Sequence, residues 1–566
     1  MTRYGSDVVV EFLAAAGIEH VSLNPGASFR ALHDSLDEAG TPTPVVALHE
    51  EVAVAIAHGY AKSAGRPMAV FVHDQVGLHH AAMALFNAWV DGVPMLVIGG
   101  CGPRDVTRRR PWIDWIHSSH PEAAVIRDVV KWDVEPASVA ALPDALARAL
   151  RIALTPPAGP VYVAVDALLQ EQEAGEIAAA ASLAPPAPPV AAPAAVVRDL
   201  AGALASAESP VLLIDRGAPG ASAPLLALAE RLAAGVVDLG GRSFPAEHWA
   251  DQTAAWHETL AAADLVLALE LRDVTWGLTS VDLEDRSTSP LTTARVVAAG
   301  LAELRHRGFL EQEAFAPRVE RVTAELTGFL ADLDGAVAAL AVDGDRVAAR
   351  RERLAAAHDA QRAAAREQAD AAAGVRPIAP AHLAAALGRA LAGTDFQLAN
   401  GLLGGWPRRL WPLRDESSYL GRSGGEGLGY GLPASLGAAL AQRESGRLVV
   451  DVQADGDLMY VPEALWTAAH HELPLLIVVH DNRTYGKDEL HQAEIARARG
   501  RPGAPPPRGI RIDAPAIDFA GLARAQGVAG IGPVEDPVAL DAVLADAVQR
   551  VQQDRRPVLV DVVCGT

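Results

Sequence analysis

The stretch from Arg447 to Gly486 constrains the fold of this chain more than any other. Arg447 to Gln453 (RLVVDVQ) is an apolar, β-rich run suited to a buried strand. Ala454-Asp455-Gly456-Asp457 follows, and Gly456 permits a tight turn. Val461 to Glu472 (VPEALWTAAHHE) carries a helical pattern, which Pro474 breaks. Leu475 to Val479 (LLIVV) then predicts the next parallel strand, with His480-Asp481-Asn482 at its carboxyl end and Arg483-Thr484-Tyr485-Gly486 beyond. Asp455 and Asn482 thus both fall at the carboxyl ends of parallel strands, where open α/β sheets bind ligands. A carboxylate and an amide oxygen are hard ligands that suit Mg²⁺, an ion that commonly shares its sphere with phosphates and water. A helix starting just after Asp455 would offer backbone N–H groups to the same phosphates. An isolated Asp-Gly is an ordinary turn; the whole ordered string is far more specific.

The chain has 566 residues, enough for three domains of ordinary size. Its formal net charge of −22 argues against nucleic acid and anionic membranes as partners. Cys101 and Cys564 are far apart in sequence, so a disulfide framework is not expected and a reducing cytoplasm fits. The N-terminus leads into an amphipathic helix instead of a signal sequence, and no apolar run reaches membrane-spanning length.

Periodicity predicts α/β architecture with three doubly wound parallel-sheet domains. Residues 1–170 alternate helix and strand, with strands at Gly17 to Leu23, Val45 to Leu48, Met68 to His73 and Pro94 to Gly99. An Ala/Pro-rich linker covers 171–195, and a second α/β unit 196–345, with its clearest strands at Pro210 to Gly217 and Ala263 to Leu269. A charged, Ala-rich helical connector covers 346–375, and a third domain 376–566.

The Asp455–Gly486 string resembles the thiamine-diphosphate motif, usually written Gly-Asp-Gly followed by Asn-Asn. Ala464-Leu-Trp-Thr-Ala-Ala469 with Thr484-Tyr-Gly486 is similar to the benzoylformate decarboxylase branch of that superfamily, which also contains acetolactate synthase. The resemblance implies Mg²⁺ held by Asp455, Asn482 and the main-chain carbonyl of Thr484. It implies cofactor contacts from Gly456, Asp457, Leu458, Tyr485 and Gly486. Ala454 replaces the first Gly, Asp481 the first Asn, and Asp457 a small hydroxyl residue. A second carboxylate beside a diphosphate is repulsive, so Asp457 is expected to point away and offer only its N–H.

The first domain carries the other half of the resemblance, in Asn24-Pro25-Gly26, in the strand end at Glu50 and in Ala57-His58-Gly59-Tyr60-Ala61. In the family a Glu at the position of Glu50 hydrogen-bonds the aminopyrimidine and starts the proton relay that activates the cofactor. On its own, Glu50 would pass for a carboxylate stabilised at a helix N-terminus. His73 matches a pocket histidine, able to shuttle protons near neutral pH. In the third domain, Leu403 and Gly404 match the diphosphate-binding backbone. Leu428, in Gly424-Gly-Glu-Gly-Leu-Gly-Tyr-Gly-Leu-Pro433, matches the apolar wedge between the cofactor's rings.

Lys487, His491 and Glu494 share one helix face. His491 and Glu494 are candidates for handling a substrate or product proton; a solvated face is the plainer alternative. The Arg/Pro segment 499–511 resembles a mobile lid. Thr107 to His117, with three arginines beside two tryptophans, fits a solvated or subunit-interface loop better than a contact for phosphate or acyl-CoA. The resemblance implies sites shared between subunits of a homodimer or homotetramer and a Rossmann-like middle domain at 196–345, in which it leaves ADP or FAD open. The activity expected is carbon–carbon lyase chemistry. A 2-hydroxyacyl-CoA lyase releasing formyl-CoA leads, on the polar helix face and the arginines. A 2-oxo acid decarboxylase and an acetolactate-type carboligase are the alternatives. A catalytically dead thiamine-diphosphate-binding subunit is the rival of another class, opposed by the presence of Glu50, Asp455 and Asn482.

Overall fold

The computed structural model of the protein describes residues 2–177, 186–282, 285–305, 318–501 and 508–565. Part of the expected linker, 178–185, and the centre of the expected lid, 502–507, lie outside the described residues. Three parallel sheets organise the rest. The first domain contains β1 (His20–Leu23), β2 (Thr43–Val46), β3 (Ala69–Val72), β4 (Met95–Cys101), β5 (Trp132–Val134) and β6 (Pro160–Asp166) in the order β2-β1-β3-β4-β6-β5. The middle domain contains β7 (Pro210–Ile214), β8 (Gly235–Asp238) and β9 (Leu265–Leu269). A short antiparallel hairpin of β10 (Thr279–Val281) and β11 (Thr288–Pro290) precedes β12 (Arg295–Gly300) and β13 (Val319–Thr323), and the sheet order is β13-β12-β9-β7-β8. The third domain contains β14 (Phe396–Gly401), β15 (Leu448–Ala454), β16 (Leu475–Asp481), β17 (Ala529–Val534) and β18 (Val558–Val563), ordered β14-β15-β16-β18-β17.

The central strands are Val/Ile/Leu runs buried on both faces, as helix-covered parallel sheets require. Where the sequence places an unbroken connector, a single helix runs from Gly344–Ala371.

The two outer domains are fastened by helices Glu50–Ala64 and Gly431–Gln442, whose side chains belong to one hydrophobic core. The helices touch through glycine on each side. A Cβ on Gly59 would lie 1.9 Å from the Ala434 carbonyl oxygen, and one on Gly437 would lie 2.0 Å from that of Ile56. Neither position has room for a side chain.

A buried charge cluster ties in the middle domain. The Lys62 ammonium donates to Asp91 and to the Tyr430 hydroxyl, each at 3.2 Å. Arg272 at the end of β9 grips Asp215 at the end of β7 through bonds of 2.7 and 2.6 Å. Gly424 is threaded between Asp91 and Arg272. A cavity of about 340 Å³ opens where β8 meets the third domain, lined by Asp238, Arg362, Arg408 and Tyr419 among others.

Candidate active site

The end of β15 delivers Asp455 and the end of β16 delivers Asn482, side by side because these strands are paired in parallel. The sequence predicts a helix over Val461 to Glu472, and the structure starts that helix later and sets a short turn before it. A single turn, Asp455–Leu458, is followed by a separate helix, Ala464–His470. Pro462 between them has no N–H to continue the helical ladder.

Asp455 is 2% exposed. Its carboxylate accepts from the Gly456 N–H at 2.7 Å and from the Arg483 N–H at 2.6 Å. The Asn482 side-chain oxygen accepts from the Thr484 N–H at 3.1 Å. Burial, followed by the charge of Asp481, pushes the Asp455 carboxyl up to about 7 despite those donors. Asp561 on β18 is likewise pushed up to about 7, by burial and then by Asp481, and both its oxygens are buried without a partner. Arg483 answers this charge, 3.4 Å from Asp481. The Asp455 carboxylate and the Asn482 amide oxygen are hard donors at adjacent strand ends, with the carboxylates of Asp481 and Asp561 adding charge nearby, so this donor set fits Mg²⁺.

The surrounding backbone is shaped as a cradle. A Cβ on Gly456 would meet the Tyr485 ring at 2.8 Å, so glycine is required there. Gly404 and Gly405, after buried Leu403, take φ of +54° and +81°, which glycine adopts without strain. The Asp457 carboxylate is turned to the Gly429 N–H, at 2.7 Å, and to the Gln453 amide. That bond anchors the loop carrying half-buried Leu428 to the turn after β15. Leu458 is fully buried beneath it, and Gly486 opens the next helix.

Glu50 is the first residue of its helix and is 4% exposed. Its carboxylate lies 3.2 Å from His80 Nδ1. Glu51 diverges from it. A Cβ on Gly429 would lie 2.8 Å from a Glu51 oxygen, and burial, then Glu463 and Asp457, push Glu51 up to about 7. The two adjacent acids therefore serve different faces. Glu51 faces the third domain of its own chain, and Glu50 faces the ends of β1 and β3.

At those ends stands His73. A Cβ on Gly77 would lie 2.9 Å from the His73 Cβ and 3.1 Å from the Glu50 carboxylate, which brings the two residues to one spot. Gly26, after half-buried Asn24 and exposed Pro25, likewise lets His73 approach, since a Cβ there would lie 3.1 Å from it. His73 Nδ1 lies 2.6 Å from the Ser28 hydroxyl. Its ring meets that of His117 edge-on, with centroids 5.5 Å apart. Burial, then His117, holds the His73 imidazole below its ordinary range, so it is neutral at pH 7. Asp74 lies beneath both rings, 3.6 Å from His73 Nδ1 and 3.7 Å from His117 Nδ1. Burial, then Glu122, pushes Asp74 up to about 8.

Ser28, Asp74 and His117 are absent from the residues singled out by sequence. Ser28 and Asp74 adjoin motifs that sequence does mark. His117 ends the Arg/Trp run assigned to a solvated or interface loop, and that assignment fits only part of it. Trp112 and Trp115 are each 70% exposed, while Arg110 grips Asp114 and His117 turns inward.

The other polar candidates stand apart. On helix Gly486–Ala498, His491 is exposed and Glu494 half-buried, while Lys487 points to Glu426 at 3.4 Å. The described end of the expected lid is not loose. Ile510 accepts from the Tyr485 N–H at 3.1 Å, and the Ile512 N–H donates to the Arg483 carbonyl at 3.0 Å, so this segment braces the Asn482 loop. Arg511 is taken up by Asp513 at 2.7 Å.

Two family models match the chain. The N-terminal TPP binding domain of thiamine pyrophosphate enzymes matches residues 3–123, and the C-terminal TPP binding domain matches 399–562. The chain is 28% identical to benzoylformate decarboxylase of Pseudomonas aeruginosa, across 98% of this chain and 97% of that protein. It is 25% identical to chloroplastic acetolactate synthase 3 of Brassica napus, across 99% of this chain and 84% of the other. The structure of a thiamine diphosphate-dependent 4-hydroxybenzoylformate decarboxylase from Rhodococcus jostii RHA1 superposes with a TM-score of 0.75 at 24% identity, covering 99% of both chains. Among the described residues no helix is long and apolar enough to cross a membrane.

Proposed function

This chain belongs to the thiamine pyrophosphate enzymes, of the decarboxylase and acetolactate synthase type, and we propose that it decarboxylates a 2-oxo acid with Mg²⁺ as the metal. The observation that carries this reading is the His73 imidazole, hydrogen-bonded to Ser28 and faced by His117, at the same spot as buried Glu50.

Asp455, Asn482 and the Thr484 carbonyl would hold the metal, and the N–H groups around Gly456, Asp457 and Leu458 the diphosphate. Thiamine diphosphate, when bound, supplies a carbon nucleophile and an electron sink for the bond to the departing carboxylate. The chain's own residues handle protons and exclude water. Glu50 presents its carboxylate in a buried site, where a hydrogen bond to a heterocycle is strengthened. Ser28 fixes the His73 ring, so His73 can present a proton to a substrate oxygen and take one back. His117 lies beside it as a second imidazole. Glu50 and Glu51 face opposite ways, which supports Glu50 serving the third domain of a partner subunit in a homodimer or homotetramer.

The 2-hydroxyacyl-CoA lyase is the second reading. It rests on the polar face of Lys487, His491 and Glu494, of which Lys487 and His491 are exposed. An ADP or FAD in the middle domain would be sought in the cavity beside Asp238 and Arg408. Incubation of the loaded enzyme with a pool of 2-oxo acids and 2-hydroxyacyl-CoA esters, read by mass spectrometry, separates the readings. Aldehyde from the 2-oxo acids is the expected outcome; formyl-CoA with the 2-oxo acids untouched would replace it with the lyase.

A further inference from the structure

We propose that His73, Asp74 and His117 form a second divalent-cation site, separate from the Asp455–Asn482 site and suited to an ion of the Zn²⁺ class. One ligand atom from each residue lies within 4.8 Å of the others. Asp74 Oδ1 is the hub, 3.6 Å from one imidazole nitrogen and 3.7 Å from the other. Around a tetrahedral zinc, ligand atoms stand about 3.4 Å apart, so the two distances to Asp74 need close by only a few tenths of an ångström.

The side chains are already aimed. Asp74 occupies the N-cap of helix Gln75–Asp91, yet its side chain makes no capping bond. It is 4% exposed, and its Oδ1 is buried without a hydrogen-bond partner, as is Nδ1 of His117. Buried polar atoms are ordinarily paired, so two unpaired ones facing each other point to a missing third party. Binding at Nδ1 of His73 requires the Ser28 hydroxyl to turn, and its oxygen then offers a fourth donor.

The ligand types separate this site from the first. Two imidazoles and one carboxylate favour borderline transition ions, whereas the oxygen set around Asp455 favours Mg²⁺. Because His73 shares its spot with Glu50, an ion here would withdraw the imidazoles from proton transfer. Zinc is therefore expected to inhibit turnover with Mg²⁺ saturating.

The test uses the full chain with Mg²⁺ and thiamine diphosphate present, titrated with Zn²⁺ by calorimetry and with Co²⁺ by visible absorption. One Zn²⁺ bound per chain, and Co²⁺ bands of a low-coordinate nitrogen/oxygen site, are expected. His117→Gln and Asp74→Asn should each weaken binding at least about tenfold, with circular dichroism confirming that they fold. Asp455→Asn should leave the Co²⁺ bands intact, as should His257→Gln on the middle domain. No Zn²⁺ bound beyond the Mg²⁺ site overturns the proposal, as do Co²⁺ bands unchanged in both folded variants or bands lost only in Asp455→Asn.

Discussion

The two halves of the site solve the same geometric problem by different means. Both lie at the carboxyl ends of parallel strands, and both bury carboxylates whose charge is not fully answered. The Asp455 half is written in one continuous stretch, in which two adjacent strands carry the ligands and the turn between them is fixed by Gly456 and Tyr485. The Glu50 half is assembled from four separated segments, at Ser28, Glu50, His73 and His117. A site encoded locally tolerates change elsewhere in the chain. One assembled from distant loops depends on the packing of the whole domain.

The strongest break in this comparison is Glu50→Gln. Turnover should fall about 10²- to 10⁴-fold, the usual share of a positioned acid–base group. Thiamine diphosphate and Mg²⁺ binding by calorimetry should persist. Glu51→Gln should keep turnover within a few-fold, since Glu51 faces Gly429; equal losses in the two variants would refute their divergence. Asp455→Asn should weaken Mg²⁺ about 10²-fold, measured as the metal concentration for half-maximal activity, and leave the His73 half unaltered. His117→Ala should lower kcat about tenfold, while His491→Ala changes it less than about twofold. A reversal would return the chemistry to the helix after Gly486.

The smallest effect is a pH dependence. Asp455 and Asp561 at about 7 and Asp74 at about 8 all hold their protons more tightly folded than unfolded. The stability this contributes is complete below the ordinary carboxylate range, and it is lost as pH rises through about 7 to 8. The metal-free chain should therefore melt at a lower temperature at pH 8 than at pH 6. Mg²⁺ with thiamine diphosphate should raise the melting temperature more at pH 8, because the bound cation favours ionised Asp455. A gain independent of pH would place the metal elsewhere.

The contrast also explains what was legible. Asp455, Asn482 and the strands around them could be read because strand period, turn glycine and ligand type coincide within one window. Glu50 was singled out through the family resemblance, because its local features alone fit any helix N-terminal carboxylate. The three parallel sheets were legible from apolar runs flanked by helical patterns. His117 was hidden because charge and aromatic content describe the exposed part of its loop, and nothing local reports that its last residue turns inward. Pro462 was visible in sequence, but where the helix beyond it begins depends on how the turn at Asp455–Leu458 ends. His491 and Glu494 were chosen by helical spacing and by the resemblance of their helix to one that faces the cofactor, neither of which tells what that face meets in this chain.

Gly59 lies nine residues after Glu50 on the same helix, about 13 Å along its axis. It touches no group that handles protons, and yet its missing side chain sets how deeply that helix sits against the third domain. A deep mutational scan scored by growth should therefore rank Gly59 and Gly437 beside Glu50. Inspection of the pocket alone would name neither glycine.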